Sequence, residues 1–302
     1  MTANQSENMP KGNKTVSLVL GSGGARGLAH IGVIHELQEN GYQISSIAGC
    51  SMGALIGGIF AAGKLEEFEH WISAITKIDI VTLLDIAWGK EGLVKGDKII
   101  NRLVDLVGDK TIEELSIPFT AVAADVKNEK EVWINSGRLF DAIRASISLP
   151  LFFTPVKYKE GYLIDGGVLN PVPIAPTFND ETDITIAVNL GGPVERTNVK
   201  VEKGKPIDSK SLLLHEKIAG FVNQLKDSVV NSEDNDWGAY DIANEAFDAM
   251  QSTIARQKLA AYPPDIVIEI ARNACGTLEF DRADEMIELG RSKAKECLLR
   301  MI

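Results

Sequence analysis

Ile44-Ser45-Ser46-Ile47-Ala48-Gly49-Cys50-Ser51-Met52-Gly53-Ala54-Leu55 reads as a short apolar strand, a turn of the form G-x-S-x-G, and the start of a helix of small residues. A serine at such a strand-to-helix turn has its hydroxyl held out above the edge of the sheet. Glycine is expected on both flanks because a Cβ there would meet the adjoining strand or helix. Ser51 is therefore the candidate nucleophile, with Gly49 and Gly53 permitting the turn. The same residues also read as a tight turn whose serine caps the following helix. A nucleophile further needs a base and a pocket for negative charge, and the flanking sequence must provide them.

Upstream, Thr15-Val16-Ser17-Leu18-Val19-Leu20 has the composition of a buried strand and runs into Gly21-Ser22-Gly23-Gly24-Ala25-Arg26-Gly27. A helix follows, with Leu28, Ile31, Ile34 and Leu37 at helical spacing and Asn40-Gly41 as its stop. Two strands joined by a helix form a right-handed βαβ unit with parallel neighbours. The glycine-rich loop and the Ser51 turn are then expected side by side on one edge of the sheet. A dinucleotide site would carry G-x-G-x-x-G and an acidic residue closing the second strand. Here Arg26 occupies the sixth position and the strand closes on Gly49-Cys50-Ser51. Gly23 and Gly24 are better read as a nest of backbone N–H groups at a helix start, an oxyanion hole beside Ser51.

Further along, helices are expected at Leu65 to Ile78 and Gly92 to Val107, and strands at Pro118 to Ala124 and Glu131 to Asn135. A helix from Arg138 ends in Ala145-Ser146-Ile147-Ser148-Leu149-Pro150, and a hairpin, Pro155 to Tyr158 against Tyr162 to Ile164, ends in Asp165-Gly166-Gly167. A strand at Asp183 to Leu190, an exposed loop at 191–210, helices at Leu212 to Val230 and Tyr240 to Ala260, a strand at Asp265 to Ile270 and a helix from Arg282 to Leu299 complete the reading. Strands keep alternating with helices, which predicts a three-layer α/β/α domain with a mostly parallel central sheet. Within it, residues 1–14 are a mobile polar tail, 15–180 the core, and 181–302 the C-terminal part of the same domain. The apolar stretch Leu149 to Phe153 is expected to fill the core beneath the hairpin, with an acyl-chain groove as the alternative.

The composition, 45% hydrophobic and 24% charged over 302 residues, is that of a water-soluble globular chain. A formal net charge of -11 without a basic stripe argues against nucleic acid as a partner. It leaves room for a transient contact with a membrane surface through a local patch. Cys50, Cys275 and Cys297 are too few and too scattered for a disulfide framework or a zinc site, which points to a reducing compartment. A cytoplasmic location, with peripheral membrane contact allowed, follows. The longest nearly apolar run, Met52 to Gly63, falls short of the roughly 20 residues of a spanning helix.

A serine hydroxyl is weakly nucleophilic until a base takes its proton. His30 and His35 precede the serine, His70 lies in an amphipathic stretch and His215 in a helical one; none follows a late strand as the base of an α/β-hydrolase does. Asp165 is better placed, since it ends an apolar hairpin strand and is followed by Gly166 and Gly167. An ordinary Asp-Gly turn accounts for that feature equally well.

Four motifs in fixed order carry a resemblance. GSGGARG (Gly21 to Gly27), GCSMG (Gly49 to Gly53), ASISLP (Ala145 to Pro150) and DGG (Asp165 to Gly167) resemble the patatin-like phospholipases, most of all small bacterial members related to neuropathy target esterase. Ser22 stands where that family usually has glycine, which leaves the backbone N–H in place. The resemblance implies a Ser51–Asp165 dyad, an oxyanion hole around Gly23 and Gly24 with Arg26 nearby, and hydrolysis of acyl esters of phospholipids or lysophospholipids without a metal. Two other outcomes remain open: an acyltransferase using the same dyad, and a regulatory or binding protein on the same fold. Arg26 either orients a lipid phosphate or fixes the loop by pairing with a carboxylate, and the second is favoured.

Overall fold

The computed structural model describes residues 14–83, 94–150, 152–195 and 239–300. Its strands are β1 (Thr15–Leu20), β2 (Gln43–Cys50), β3 (Phe119–Asp125), β4 (Lys130–Ile134), β5 (Val156–Tyr158), β6 (Gly161–Asp165), β7 (Ile184–Gly192) and β8 (Ile266–Ala271). They form one sheet of order β5-β6-β3-β2-β1-β7-β8, with β4 also paired to β3. The middle of this sheet, from β3 to β8, is parallel, whereas β4 and β6 run antiparallel to β3, and β5 to β6.

The described helices are α1 (Ala29–Glu39), α2 (Met52–Ala61), α3 (Leu65–Ser73), α4 (Lys77–Leu83), α5 (Asp97–Val107), α6 (Leu139–Ser146), α7 (Ala239–Ala261) and α8 (Ala283–Leu299). Alternation along β1 assigns them to layers. Val16, Leu18 and Leu20 pack with residues of α1, α2 and α8, while Val19 joins Val172, Ile174, Ala187 and Ala255 of α7. Helices thus cover both faces, and the expected three-layer α/β/α architecture with a mostly parallel sheet is the observed one. The layer holding α1 and α8 is backbone on backbone: a Cβ at Gly32 would overlap the Ile287 carbonyl, and one at Gly290 the Ala29 carbonyl.

The arrangement of β3 matters most for the site. One of its edges is taken by β4. The other is shared end to end by β2, which pairs up to Cys50↔Val122, and by β6, which starts at Asp165↔Ala123. Adjacent residues of β3 therefore receive the last residue of β2 and the last residue of β6. The chain bends away from β3 at both places, so Ser51 and Asp165 are neighbours across 114 positions of sequence.

The structure departs from the sequence reading in several places. The helix expected over Leu65 to Ile78 ends at Ser73, because Thr76 starts a second one: its amide and hydroxyl both donate to Asp79 Oδ2, at 3.0 and 2.7 Å. The next helix begins at Asp97 rather than Gly92, after left-handed Gly96. Strand β7 runs on through Gly192, which pairs with Ala271, so the loop expected from 191 starts later. Most of that loop, the tail 1–13, Leu151 and the helix expected over 212–230 lie outside the described residues.

Candidate active site

Ser51 has φ 55° and ψ −122°, a left-handed conformation that a residue with a side chain adopts at a cost of about 1–3 kcal/mol. The neighbouring glycines make the turn sterically feasible. A Cβ at Gly49 would overlap the Gly53 carbonyl, and a Cβ at Gly53 would overlap the Leu20 carbonyl at the end of β1. The Ser51 hydroxyl does not cap α2. It donates instead to Asp165 Oδ2 at 2.5 Å.

Asp165 is 1% exposed, and its second oxygen is also occupied. Oδ1 accepts the Gly167 amide at 2.7 Å and faces the Cys50 thiol at 3.9 Å. Gly166 fits under β3 because its α-carbon carries only hydrogen; a Cβ would overlap the Val122 carbonyl. The Asp-Gly-Gly turn and the bond to the serine thus coexist, one on each carboxyl oxygen. Burial pushes the Asp165 carboxyl up from its ordinary 3.8 to about 6, against the hydrogen bonds from Ser51, Gly167 and Cys50 that pull it down. The group is therefore a carboxylate at neutral pH and more basic than a solvated aspartate.

The histidines are engaged elsewhere. His30 is fully buried, its Nε2 donates to the Gly21 carbonyl at 2.9 Å, and desolvation lowers it to about 4, so its ring is neutral. His35 Nε2 meets Glu69 Oε2 at 2.6 Å, and His70 lies on an exposed face of α3. His215 is outside the described residues.

In the glycine-rich loop, the Gly21, Ser22 and Ala25 amides donate to the carbonyls of Val188, Pro171 and Thr277 at 3.0, 2.8 and 2.9 Å. Among the described residues the Gly23 and Gly24 amides between them have no acceptor. Gly24 has φ +56°, and a Cβ there would crowd the Thr277 backbone, so glycine is required on both grounds. The Arg26 guanidinium does not join them. It is buried on the far side of the loop, where Nη1 donates to the Arg272 carbonyl at 2.6 Å and Nη2 lies 3.4 Å from Asp248 Oδ1. Its side chain is thus held between the Arg272 carbonyl and the Asp248 carboxylate.

Ser51 and Gly24 line a cavity of about 120 Å³ whose walls, among the described residues, carry no charged side chain. Leu55, Phe68 and Leu103 form its buried part, and Ile75, Ile80 and Leu278 its more open part. Leu149, Phe152 and Phe153 are half-buried along it, so this stretch faces the serine's cavity instead of filling closed core. No cluster of metal-ligating side chains occurs among the described residues. No described helix is long and apolar enough to cross a membrane.

The chain belongs to the patatin-like phospholipase family: the Patatin family model, described as patatin-like phospholipase, matches residues 18–178. An uncharacterized NTE family protein of Mycobacterium tuberculosis is 38% identical over 94% of this chain and 91% of its own. The neuropathy target esterase of Drosophila melanogaster is 31% identical over 59% of this chain and 13% of that protein. A lysophospholipase of Emericella nidulans is 28% identical over 59% of this chain and 12% of its own. Lipid ester hydrolysis is the general activity of such families, and a lipid is the corresponding substrate.

Residues invisible as site components in the sequence come from two places. Thr277, Leu278 and Phe280 reach the cavity from the segment after β8, beyond the residues matched by the family. No motif marks them. Ser146 bonds the Ser51 amide, and only its place in ASISLP could have drawn notice.

Proposed function

We propose that this protein is a serine acyl hydrolase that cleaves single-chain acyl esters such as lysophospholipids through a Ser51–Asp165 dyad. The observation that carries the reading is the 2.5 Å bond from Ser51 Oγ to Asp165 Oδ2 beside a cavity that the described residues line mostly with apolar side chains. Asp165 accepts the serine proton as Oγ attacks the ester carbonyl, and the Gly23 and Gly24 amides hold the oxygen that becomes negative. Collapse of the tetrahedral intermediate expels the alcohol, which takes the proton from Asp165. Water then gives a proton to Asp165 as it attacks the acyl-enzyme, and the fatty acid leaves with Ser51 Oγ–H restored. The acyl chain occupies the cavity toward Leu55, Phe68 and Leu103. Leu278, 41% exposed, lines the open part of the cavity and offers an apolar surface for a transient contact with a lipid surface.

An aryl ester series from acetyl to dodecanoyl tests this. Each methylene that enters the cavity is worth about 0.8 kcal/mol, so kcat/KM is expected to climb about fourfold per carbon until the cavity is full. A long-chain fluorophosphonate should label Ser51, identified by peptide mass. A flat chain-length profile, or a label elsewhere, sinks the proposal. Release of free fatty acid into water, as opposed to transfer to an added alcohol, separates hydrolase from acyltransferase.

A further inference from the structure

The end of α6 touches both members of the proposed dyad. The Ser51 amide donates to Ser146 Oγ at 2.9 Å, and Ser146 Oγ donates in turn to the Val122 carbonyl at 2.6 Å. Two residues on, the Ser148 carbonyl accepts the Asp165 amide at 2.9 Å. Ser146 is completely buried, and neither it nor Val122 lines the apolar cavity.

The register explains what the hydroxyl does. Ile47 pairs with Phe119, and its amide donates to the Pro118 carbonyl at 2.9 Å. In a parallel ladder such bonds recur every second residue. The series that begins at Ile47 and Pro118 would next but one join the Ser51 amide directly to the Val122 carbonyl. Ser146 Oγ is inserted into that rung. It has one proton, which goes to Val122, and its lone pairs are left for the Ser51 N–H. The rung is widened without leaving either backbone group unpaired, and Ser51 lifts off the sheet there. On the next residue of β3, Ala123, Asp165 takes over the same edge.

We propose that Ser146 is a positioning residue for the nucleophile: its hydroxyl spaces Ser51 from β3 and so sets the approach of Oγ to Asp165. This inference rests on the dyad reading above. Without the hydroxyl, the Ser51 amide would close directly on Val122 and draw the elbow toward β3. A displacement approaching 1 Å at a reacting atom can cost about 100-fold in rate.

The test compares Ser146→Ala, Ser146→Thr and Ser146→Cys with wild type. For Ser146→Ala, kcat on an aryl ester and the rate of fluorophosphonate labelling at Ser51 are expected to fall together by about 10- to 100-fold. KM should stay within about twofold, because Ser146 makes no contact with the cavity. Ser146→Thr, which keeps the hydroxyl, should recover most of the loss. If Ser146→Ala is insoluble, Ser146→Cys, whose thiol is a poorer acceptor in the same place, is expected to show an intermediate loss. A folded Ser146→Ala or Ser146→Cys with wild-type kcat overturns the inference, as does a loss confined to KM. Absence of label on Ser51 in the wild type overturns the dyad itself, whereas a labelled wild type with an equally fast Ser146→Ala overturns only the positioning role.

Discussion

Ser51→Ala is expected to reduce ester hydrolysis by about 10⁴-fold or more while leaving the chain folded. The substitution removes the hydroxyl that bonds Asp165 and would carry the acyl group in the proposed mechanism. The alanine would still occupy a left-handed conformation, so no strain is relieved there. It would also leave Asp165 Oδ2 buried without its hydrogen bond. An uncompensated carboxylate is harder to keep ionised, so Asp165 should bind its proton more tightly in this variant. The checks are turnover of the preferred aryl ester, loss of the fluorophosphonate label, and retained binding of a non-hydrolysable long-chain analogue. Hydrolysis within a factor of ten of wild type would remove Ser51 from the chemistry.

Asp165→Asn should be almost as damaging to turnover, about 10³-fold or more, because an amide cannot take the serine proton. Its effect on stability has the opposite sign. In the wild type, burial raises Asp165 from 3.8 to about 6. The associated stabilisation is complete below about pH 4 and is lost as pH rises through about 6, where the buried group is forced to ionise. A rise of about 2 in pKa corresponds to on the order of 3 kcal/mol at pH 8. The asparagine variant has no charge to bury, so it should unfold at a higher temperature than wild type at pH 8. The advantage should shrink toward pH 4. In the wild type itself, kcat/KM should rise through about pH 6 and level off above it, as the base loses its proton. A variant destabilised equally at both pH values, or a wild-type profile with no inflection near 6, would contradict this account of the carboxyl.

The parts of the site legible in the sequence were those forced by local geometry. Gly49 and Gly53 are fixed by contacts between α2 and the ends of β1 and β2, and such contacts leave a short, recognisable pattern. Gly24 and the DGG turn are of the same kind. The parallel pairing of β1 and β2 followed from a single helical crossover. What could not be read depends on residues distant in sequence that carry ordinary side chains. The end-to-end sharing of one β3 edge by β2 and β6 has no local signature, since it is decided by where β4 and the hairpin come to lie. The apolar spacing of α3 and α5 indicated a buried face without revealing whether it met core or cavity. The break at Thr76 was hidden because a capping threonine looks like any other polar residue within an amphipathic run.

The last quarter of the chain holds the glycine-rich loop in place. Thr277 anchors Ala25, Arg272 anchors Arg26, and α8 presses its backbone against α1 through Gly290 and Gly32. During translation the residues proposed to make and break bonds would therefore leave the ribosome well before the residues that arrange them. A nascent chain stopped short of Arg272 should be catalytically silent, and ester turnover by ribosome-stalled chains of graded length would reveal whether activity waits for α8. Such a delay would hold back the proposed lipid hydrolysis until α8 had been made.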